Sequence, residues 1–169
     1  MLQSVAKFMF SNIGNLLSIK KIADTMASDG RKLSVHTVDS YLEALVDSFV
    51  FNKVSRFDIK GKQYLISGEK YYATDVSMRY SLLGRKNLDV GHILENIVYL
   101  ELLRRGYKVY IGKTGDKEVD FVAENKNGFT YFQDNHLFLF HYLNLLHKEM
   151  NFYLYNLNII VDNHLFDNN

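Results

Sequence analysis

The chain has 169 residues, of which 47% are hydrophobic and 23% charged, and its formal net charge is +1. These values are those of an ordinary soluble globular protein with one sizeable core or two small ones. The absence of cysteine excludes disulfides and thiolate metal sites. The N-terminus has no signal-peptide pattern and no segment approaches about 18 consecutive apolar residues, so we expect a cytoplasmic protein without a membrane partner.

The composition changes at residue 134. Residues 1–133 hold 19 basic and 15 acidic side chains, a net charge of +4, whereas residues 134–169 hold one Lys and four acids, a net charge of −3. Eight of the last 36 residues are Asn and four are His, while only two His precede them. We interpret the segment from residue 134 as an atypical tail.

The first half of the chain predicts three short helices followed by a hairpin. Ser18 and Ser34 stand where helix N-caps are expected, before helices over residues 19–26 and 35–48. An earlier helix is expected within residues 5–10, and residues 49–57 and 63–66 form the strands of the hairpin, with a turn at Lys60-Gly61. This is the order of a winged helix-turn-helix, which we assign to residues 1–82.

A connector over residues 68–89, with a short helix near 77–83, leads to an α/β module at residues 88–169. Its helix is expected over residues 91–105 and ends at Gly106. Strands are predicted at 108–111, 118–123 and 129–133, with turns at 112–115 and 127–128, and the tail predicts a helix near 137–150 and a strand near 152–161. The predicted fold class is therefore α+β.

The outward-facing residues of the third helix bear on whether the chain binds DNA. Its outward stripe is acidic, Asp39, Glu43 and Asp47, and no Lys or Arg lies between Ser34 and Ser48. Because DNA binding depends on neutralising phosphates, this stripe favours a solvated face of a packing or protein-binding module. Any contact with phosphates is instead predicted for the hairpin, whose basic residues are Lys53, Arg56, Lys60 and Lys62.

Gly112-Lys113-Thr114 has the ending of a phosphate-binding P-loop but not its beginning. The P-loop requires glycine five positions before its second glycine, where this chain has Tyr107. We interpret the segment as a hairpin turn and expect no nucleotide binding.

Glu95 and Asp120 are the candidate catalytic and metal-binding residues. Glu95 lies on the apolar flank of its helix, and two readings remain open: a site residue, or a structural carboxylate paired with a Lys, an Arg or the backbone. Asp120 lies inside a strand. If the chain between them folds back, the two carboxylates meet beside a sheet, where they would hold Mg²⁺, with Glu118 or Glu124 as a third ligand.

The next strand decides whether that site is complete. With Asn127-Gly128 as a two-residue turn, Val122 pairs with Gln133 and Asp120 with Asn135, so both amides share the face of Asp120. A metal nuclease requires a carboxylate and a lysine there. Both residues are neutral, so the site is predicted to be incomplete.

The order of these features resembles a family of bacterial and archaeal proteins in which an AAA+ ATPase module precedes a winged helix and a C-terminal domain of unknown function similar to the PD-(D/E)XK nucleases. The resemblance covers about residues 1–133. The matching segments are Asn12-Ile-Gly14, residues 34–45, 56–61 and 91–96, Lys70-Tyr-Tyr, Asp75, Glu101-Leu, Arg105-Gly-Tyr107 and Glu118-Val-Asp-Phe121.

The resemblance implies that Glu95 is the helical acid and Asp120 the strand aspartate, with Gln133 replacing the acid and Asn135 the lysine of the E-x-K motif. The ATPase module has no counterpart here, and the likeness stops at the change in composition, for which a shifted reading frame or a truncation is one hypothesis. We therefore predict a catalytically inactive remnant that binds protein or nucleic acid. The alternatives are a Mg²⁺-dependent DNA endonuclease and a DNA-binding regulator acting through the basic hairpin, and a homodimer through the last strand's edge is also predicted.

Overall fold

The computed structural model describes residues 1–61, 63–84 and 90–133, without the side chains of Gln63 and residues 65–67. This part of the chain confirms the α+β class, with five helices and one six-stranded sheet. The helices are α1 (Leu2–Ser11), α2 (Ile19–Ser28), α3 (Val35–Asp47), α4 (Val76–Leu83) and α5 (Val90–Arg104). The strands are β1 (Leu16–Leu17), β2 (Phe51–Asp58), β3 (Gln63–Ala73), β4 (Lys108–Thr114), β5 (Lys117–Asn125) and β6 (Gly128–Phe132).

The two predicted N-caps are confirmed. The hydroxyl of Ser18 accepts a hydrogen bond from the backbone N–H of Lys21 at 3.2 Å, and that of Ser34 accepts one from Thr37 at 3.0 Å. Each cap satisfies one of the N–H groups that a helix leaves unpaired in its first turn. Local side-chain chemistry thus fixes where α2 and α3 begin.

The sheet has the strand order β1-β3-β2-β4-β5-β6 and runs through both predicted domains. Strand β2 is antiparallel to β3 and parallel to β4, with Arg56, Phe57 and Asp58 opposite Ile111, Gly112 and Lys113. The hairpin therefore lies inside a sheet and does not project as a free wing. The division into residues 1–82 and 88–169 stays a prediction about folding units.

Strand β3 is longer than predicted, because residues 68–73 were expected in a connector. Val54 lies opposite Lys70 and Arg56 opposite Leu65, so a step of two residues on β2 corresponds to five on β3. Gly68 lies in this bulge with φ +80°, a conformation that glycine adopts readily. The glycine that suggested the end of a strand instead permits a bulge within it.

Both predicted turns of the second half were misplaced. Residues 112–114 belong to β4, and the turn is Gly115-Asp116, because Thr114 pairs with Lys117. In the next hairpin Asn125 pairs with Gly128, so the turn residues are Lys126 and Asn127 and the predicted register is wrong by two. The Asn125 side chain accepts a hydrogen bond from the Asn127 N–H at 2.8 Å, which closes the turn earlier.

The two faces of the sheet are covered differently. Helices α1, α2 and α3 form one core against β2 and β3, and α5 covers a second core that includes Tyr72, Tyr99 and Phe121. A third cluster, around Phe57 and Tyr110, contains residues of the strands and Ile59, which directly follows β2, and no helix residue. The rings of Phe57 on β2 and Phe129 on β6 stack at 5.1 Å, although three strand spacings of a flat sheet span about 14 Å. The sheet therefore curls around this aromatic cluster.

The predicted helix near 137–150, the strand near 152–161 and Asn135 lie outside the described residues. Among the helices that are described, none combines the length and apolar character needed to cross a membrane.

Candidate carboxylate–lysine site

Four side chains from three elements meet where α5 lies on the sheet. The Lys70 ammonium of β3 contacts Glu95 Oε1 of α5 at 2.9 Å and Glu118 Oε1 of β5 at 2.6 Å. The Tyr72 hydroxyl donates a hydrogen bond to the same Glu95 oxygen at 2.5 Å. The Lys70 and Glu95 side chains are only 5% and 7% exposed, while Glu118 is 33% exposed. A buried lysine thus bridges two carboxylates, one deep and one near solvent.

Asn96 holds the helix that carries Glu95 against β3. Its carboxamide accepts a hydrogen bond from the Ala73 N–H at 2.7 Å and donates one to the Ala73 carbonyl at 2.9 Å. The residue is fully buried. Because both backbone groups of Ala73 are satisfied by one side chain, the position of α5 along the strand is set next to the ion pair.

The chain between α1 and β1 closes the site over the second Glu95 oxygen. A Cβ at Gly14 would lie 3.2 Å from Glu95 Oε2 and 3.1 Å from His92 Nδ1, and Gly14 has φ +75°. His92 Nδ1 lies 3.6 Å from the same oxygen. Only glycine combines this backbone conformation with such close approach to the carboxylate.

The charges within the site support one another. Burial lowers the pKa of Lys70, but the charge of Glu95 and hydrogen bonds to both carboxylates outweigh it, so the pKa lies above its ordinary value of 10.5. Burial likewise raises the pKa of Glu95, and His92, the Lys70 charge and Tyr72 together bring it below 4.5. Burial, followed by the charge of Glu95, raises the pKa of Tyr72, which keeps its proton for donation. The pair is therefore ionised near neutral pH.

Asp120 lies near this group, and Gln133 is bound to it. Gln133 Nε2 donates a hydrogen bond to Asp120 Oδ2 at 2.8 Å, and the charge of Asp120 contributes to raising the pKa of Tyr72. The predicted juxtaposition of Gln133 and Asp120 is present despite the wrong register, because a shift of two residues preserves the face of a strand.

The expected side-chain direction along β5 was wrong in part. Strict alternation places Glu118 and Val122 on one face, but Glu118 contacts Lys70 on the α5 side whereas Val122 belongs to the aromatic cluster. A step of two residues from Tyr110 to Gly112 on β4 corresponds to three on β5, from Val122 to Val119. The irregularity reverses the alternation between the ends of β5.

In the arrangement that the structure shows, other protein side chains contact the carboxylates that were considered as metal ligands. The Lys70 ammonium already lies within bonding distance of Glu95 and Glu118, where a metal would need both carboxylates. Glu124, the other third ligand considered, instead accepts a hydrogen bond from the Tyr110 hydroxyl at 3.0 Å. Within residues 1–61, 63–84 and 90–133, no three acidic or histidine side chains converge to hold a metal.

Of the four basic residues assigned to phosphate contact, the three that the structure describes do not form one exposed patch. Lys53 Nζ forms an ion pair with Glu69 Oε1 at 2.9 Å. The Arg56 side chain lies against Gly68, with its Nε buried and without a hydrogen-bond partner. Lys60 is exposed at the turn after β2, and Lys62 lies outside the described residues. Glu43 and Asp47 of the acidic stripe are exposed, and Asp39 is half-buried.

Sequence reasoning found Glu95 and named Glu118 as a ligand, but it gave no role to Lys70, Tyr72 or His92. The open alternative of a structural carboxylate paired with a lysine describes the contact that the structure shows for Glu95. Lys70 and Tyr72 are two residues apart and so lie on the same face of β3. That pattern could have indicated Lys70, but it is missed when the strand is predicted to end before Gly68.

The ion pair predicts a stability that depends on pH at both extremes. The Glu95 pKa is lowered by folding, so its contribution is present above 4.5 and is lost as pH falls through its folded value. The Lys70 pKa is raised, so its contribution is present below 10.5 and is lost as pH rises through its folded value. We expect urea unfolding to show a plateau between these limits. Glu95→Gln should flatten the acid side, and Glu43→Gln, which removes an exposed carboxylate of α3, serves as the control.

Residues 1–89 match the family described as a domain of unknown function, DUF8612, and the chain belongs to that family. It is 41% identical over 132 residues to an uncharacterized protein of Haemophilus influenzae, and 37% identical over 117 residues to one of Methanocaldococcus jannaschii. These alignments cover 78% and 67% of this chain but 33% and 26% of the relatives, so the chain spans about a third or a quarter of their length. No solved structure gives a significant match.

Proposed function

We propose that this chain is a catalytically inactive, protein-binding module derived from a larger ATPase-associated protein, with a winged helix joined to a PD-(D/E)XK-like sheet. The observation that carries the proposal is the buried contact of Lys70 with Glu95 and Glu118. It gives the family's acidic residues a structural role, because the ammonium neutralises the carboxylates that a metal would need.

Charge favours a protein partner over DNA. The exposed acids of α3, Glu43 and Asp47, would repel phosphates. Lys53 is neutralised by Glu69, and the strands of the hairpin are paired on both sides within the sheet. A DNA-binding role through Lys53, Arg56, Lys60 and Lys62 therefore has less support than a protein-binding one.

The lengths of the relatives support a place within a larger protein. The alignment with the Haemophilus influenzae protein extends over 132 residues, and the composition of this chain changes after residue 133. The aligned part is 33% of the relative, which is therefore about three times as long. We propose that the remainder of those relatives includes an AAA+ module. We also propose that the tail of this chain arose through a shifted frame or a truncation.

The proposal is tested by incubating the protein with linear and supercoiled DNA in Mg²⁺ or Mn²⁺. We expect no cleavage above the background of the Asp120→Ala and Glu95→Gln variants, because the acids are held by Lys70 and Gln133. Cleavage by the native protein that both substitutions abolish would contradict it.

A second candidate, a Mg²⁺-dependent endonuclease using Glu95 and Asp120, is favoured by one observation. The lysine that is missing beside Gln133 is supplied from β3, since Lys70 reaches Glu95 and Glu118. A lysine near paired acids is the cation that phosphodiester cleavage uses to stabilise developing charge. If this candidate is right, the native protein cleaves DNA and the Lys70→Met variant does not. The non-catalytic proposal predicts that neither protein cleaves DNA.

A further inference from the structure

Phe49 adopts a left-handed backbone conformation, which is unfavourable for a residue with a large side chain. It follows α3, where its N–H donates to the Val46 carbonyl at 2.9 Å and the Val50 N–H donates to the Leu45 carbonyl at 2.9 Å. These two bonds form a Schellman motif, in which the residue after the C-cap is left-handed and is usually glycine. Phe49 has φ +56°, the one positive φ among the described residues other than glycine.

The Phe49 side chain is also the most exposed of the large hydrophobic side chains that the structure describes, at 78%. Glycine would relieve the backbone strain, and a ring that stays in water gains almost no burial on folding to offset that strain. Within the part of the chain that the structure describes, burial of the Phe49 ring therefore does not offset the backbone strain.

The residues that precede Phe49 on the outer face of α3 are acidic. Asp47 precedes it by two residues, Glu43 lies one turn earlier on α3, and both are exposed. The last turn of α3 contains no basic residue to balance the partial negative charge of the helix C-terminus. An exposed apolar ring thus follows the acidic C-terminal end of α3.

We infer that Phe49 and the acidic end of α3 form a docking surface for a protein partner that offers an apolar groove lined by Lys or Arg. An exposed aromatic anchor within a charged rim is the usual organisation of an interface hot spot. A second copy of this chain would bring two acidic ends together, and DNA would add phosphates to them. The inference rests on the proposed protein-binding function and names its surface and partner chemistry.

The test uses an amphipathic helical peptide of Leu and Lys as the probe and its Leu–Glu counterpart as the charge control. We expect the native protein to bind the Leu–Lys peptide, and Phe49→Gly to weaken binding at least tenfold while raising the urea midpoint of unfolding. Asp47→Lys should weaken binding and reduce its salt dependence. Tyr80→Ala, which removes a partly exposed aromatic ring on α4, should leave binding unchanged.

The inference would be overturned by no binding of the Leu–Lys peptide, by equal binding of the Leu–Glu peptide, or by a lower urea midpoint for Phe49→Gly. Binding that persists unchanged in Phe49→Gly would also reject this surface while leaving a protein-binding function elsewhere on the chain. The DNA-cleavage assay decides the non-catalytic proposal separately, so the two failures are distinguishable.

Discussion

We expect Lys70→Met to lower the free energy of unfolding by about 3–5 kcal/mol, which is the typical effect of removing one partner from a buried ion pair. Methionine keeps much of the length and apolar stem of lysine, so the loss comes from the missing charge. Glu95 is then left 7% exposed without its ammonium partner, and desolvation raises its pKa. The measurement is urea unfolding at pH 7, followed by circular dichroism.

The matched control is Lys53→Met on β2. Lys53 also contacts a carboxylate, Glu69, at 2.9 Å, but its side chain is 45% exposed. An exposed pair contributes about 0–1 kcal/mol, so the control should remain close to the native protein. If Lys70→Met destabilises no more than Lys53→Met, the buried pair does not hold α5 on the sheet.

Asn96→Ala is expected to lower the free energy of unfolding by about 2–6 kcal/mol, the sum for two unsatisfied buried groups. The substitution leaves the Ala73 N–H and carbonyl without the bonds of 2.7 and 2.9 Å that Asn96 provides, and each unsatisfied buried group costs about 1–3 kcal/mol. Hydrogen exchange should show faster exchange of the Ala73 amide together with the amides of α5.

Asn52→Ala is the control for this substitution. The Asn52 amide donates to Thr74 Oγ1 at a long 3.4 Å in an exposed position, so its loss should change stability by less than about 0.5 kcal/mol. Equal effects of the two substitutions would show that Asn96 is dispensable for positioning α5.

Local features of the fold could be predicted from the sequence, because short segments determine them. The caps at Ser18 and Ser34 and the glycine that ends α5, Gly106 with φ +81°, depend on neighbouring residues only. The parallel contact of β2 with β4 joins residues more than 50 positions apart, and no local pattern specifies such a pairing.

The candidate site was predictable in its acids but not in its cation. Glu95 was conspicuous because its helical neighbours are apolar, a setting that requires a compensating partner. Lys70 became that partner only through a bulge that carries β3 past Gly68, and the reversal of alternation within β5 brought Glu118 to the same side. Both are irregularities of register, which follow from packing between distant strands and leave little trace in the sequence.

The most direct test of the account is a calorimetric titration of the native protein with Mn²⁺ at pH 7. Because Lys70 neutralises Glu95 and Glu118, the account predicts no saturable binding and the same trace for Glu95→Gln. Stoichiometric Mn²⁺ binding that disappears in Glu95→Gln would contradict the account and would favour a metal-dependent nuclease.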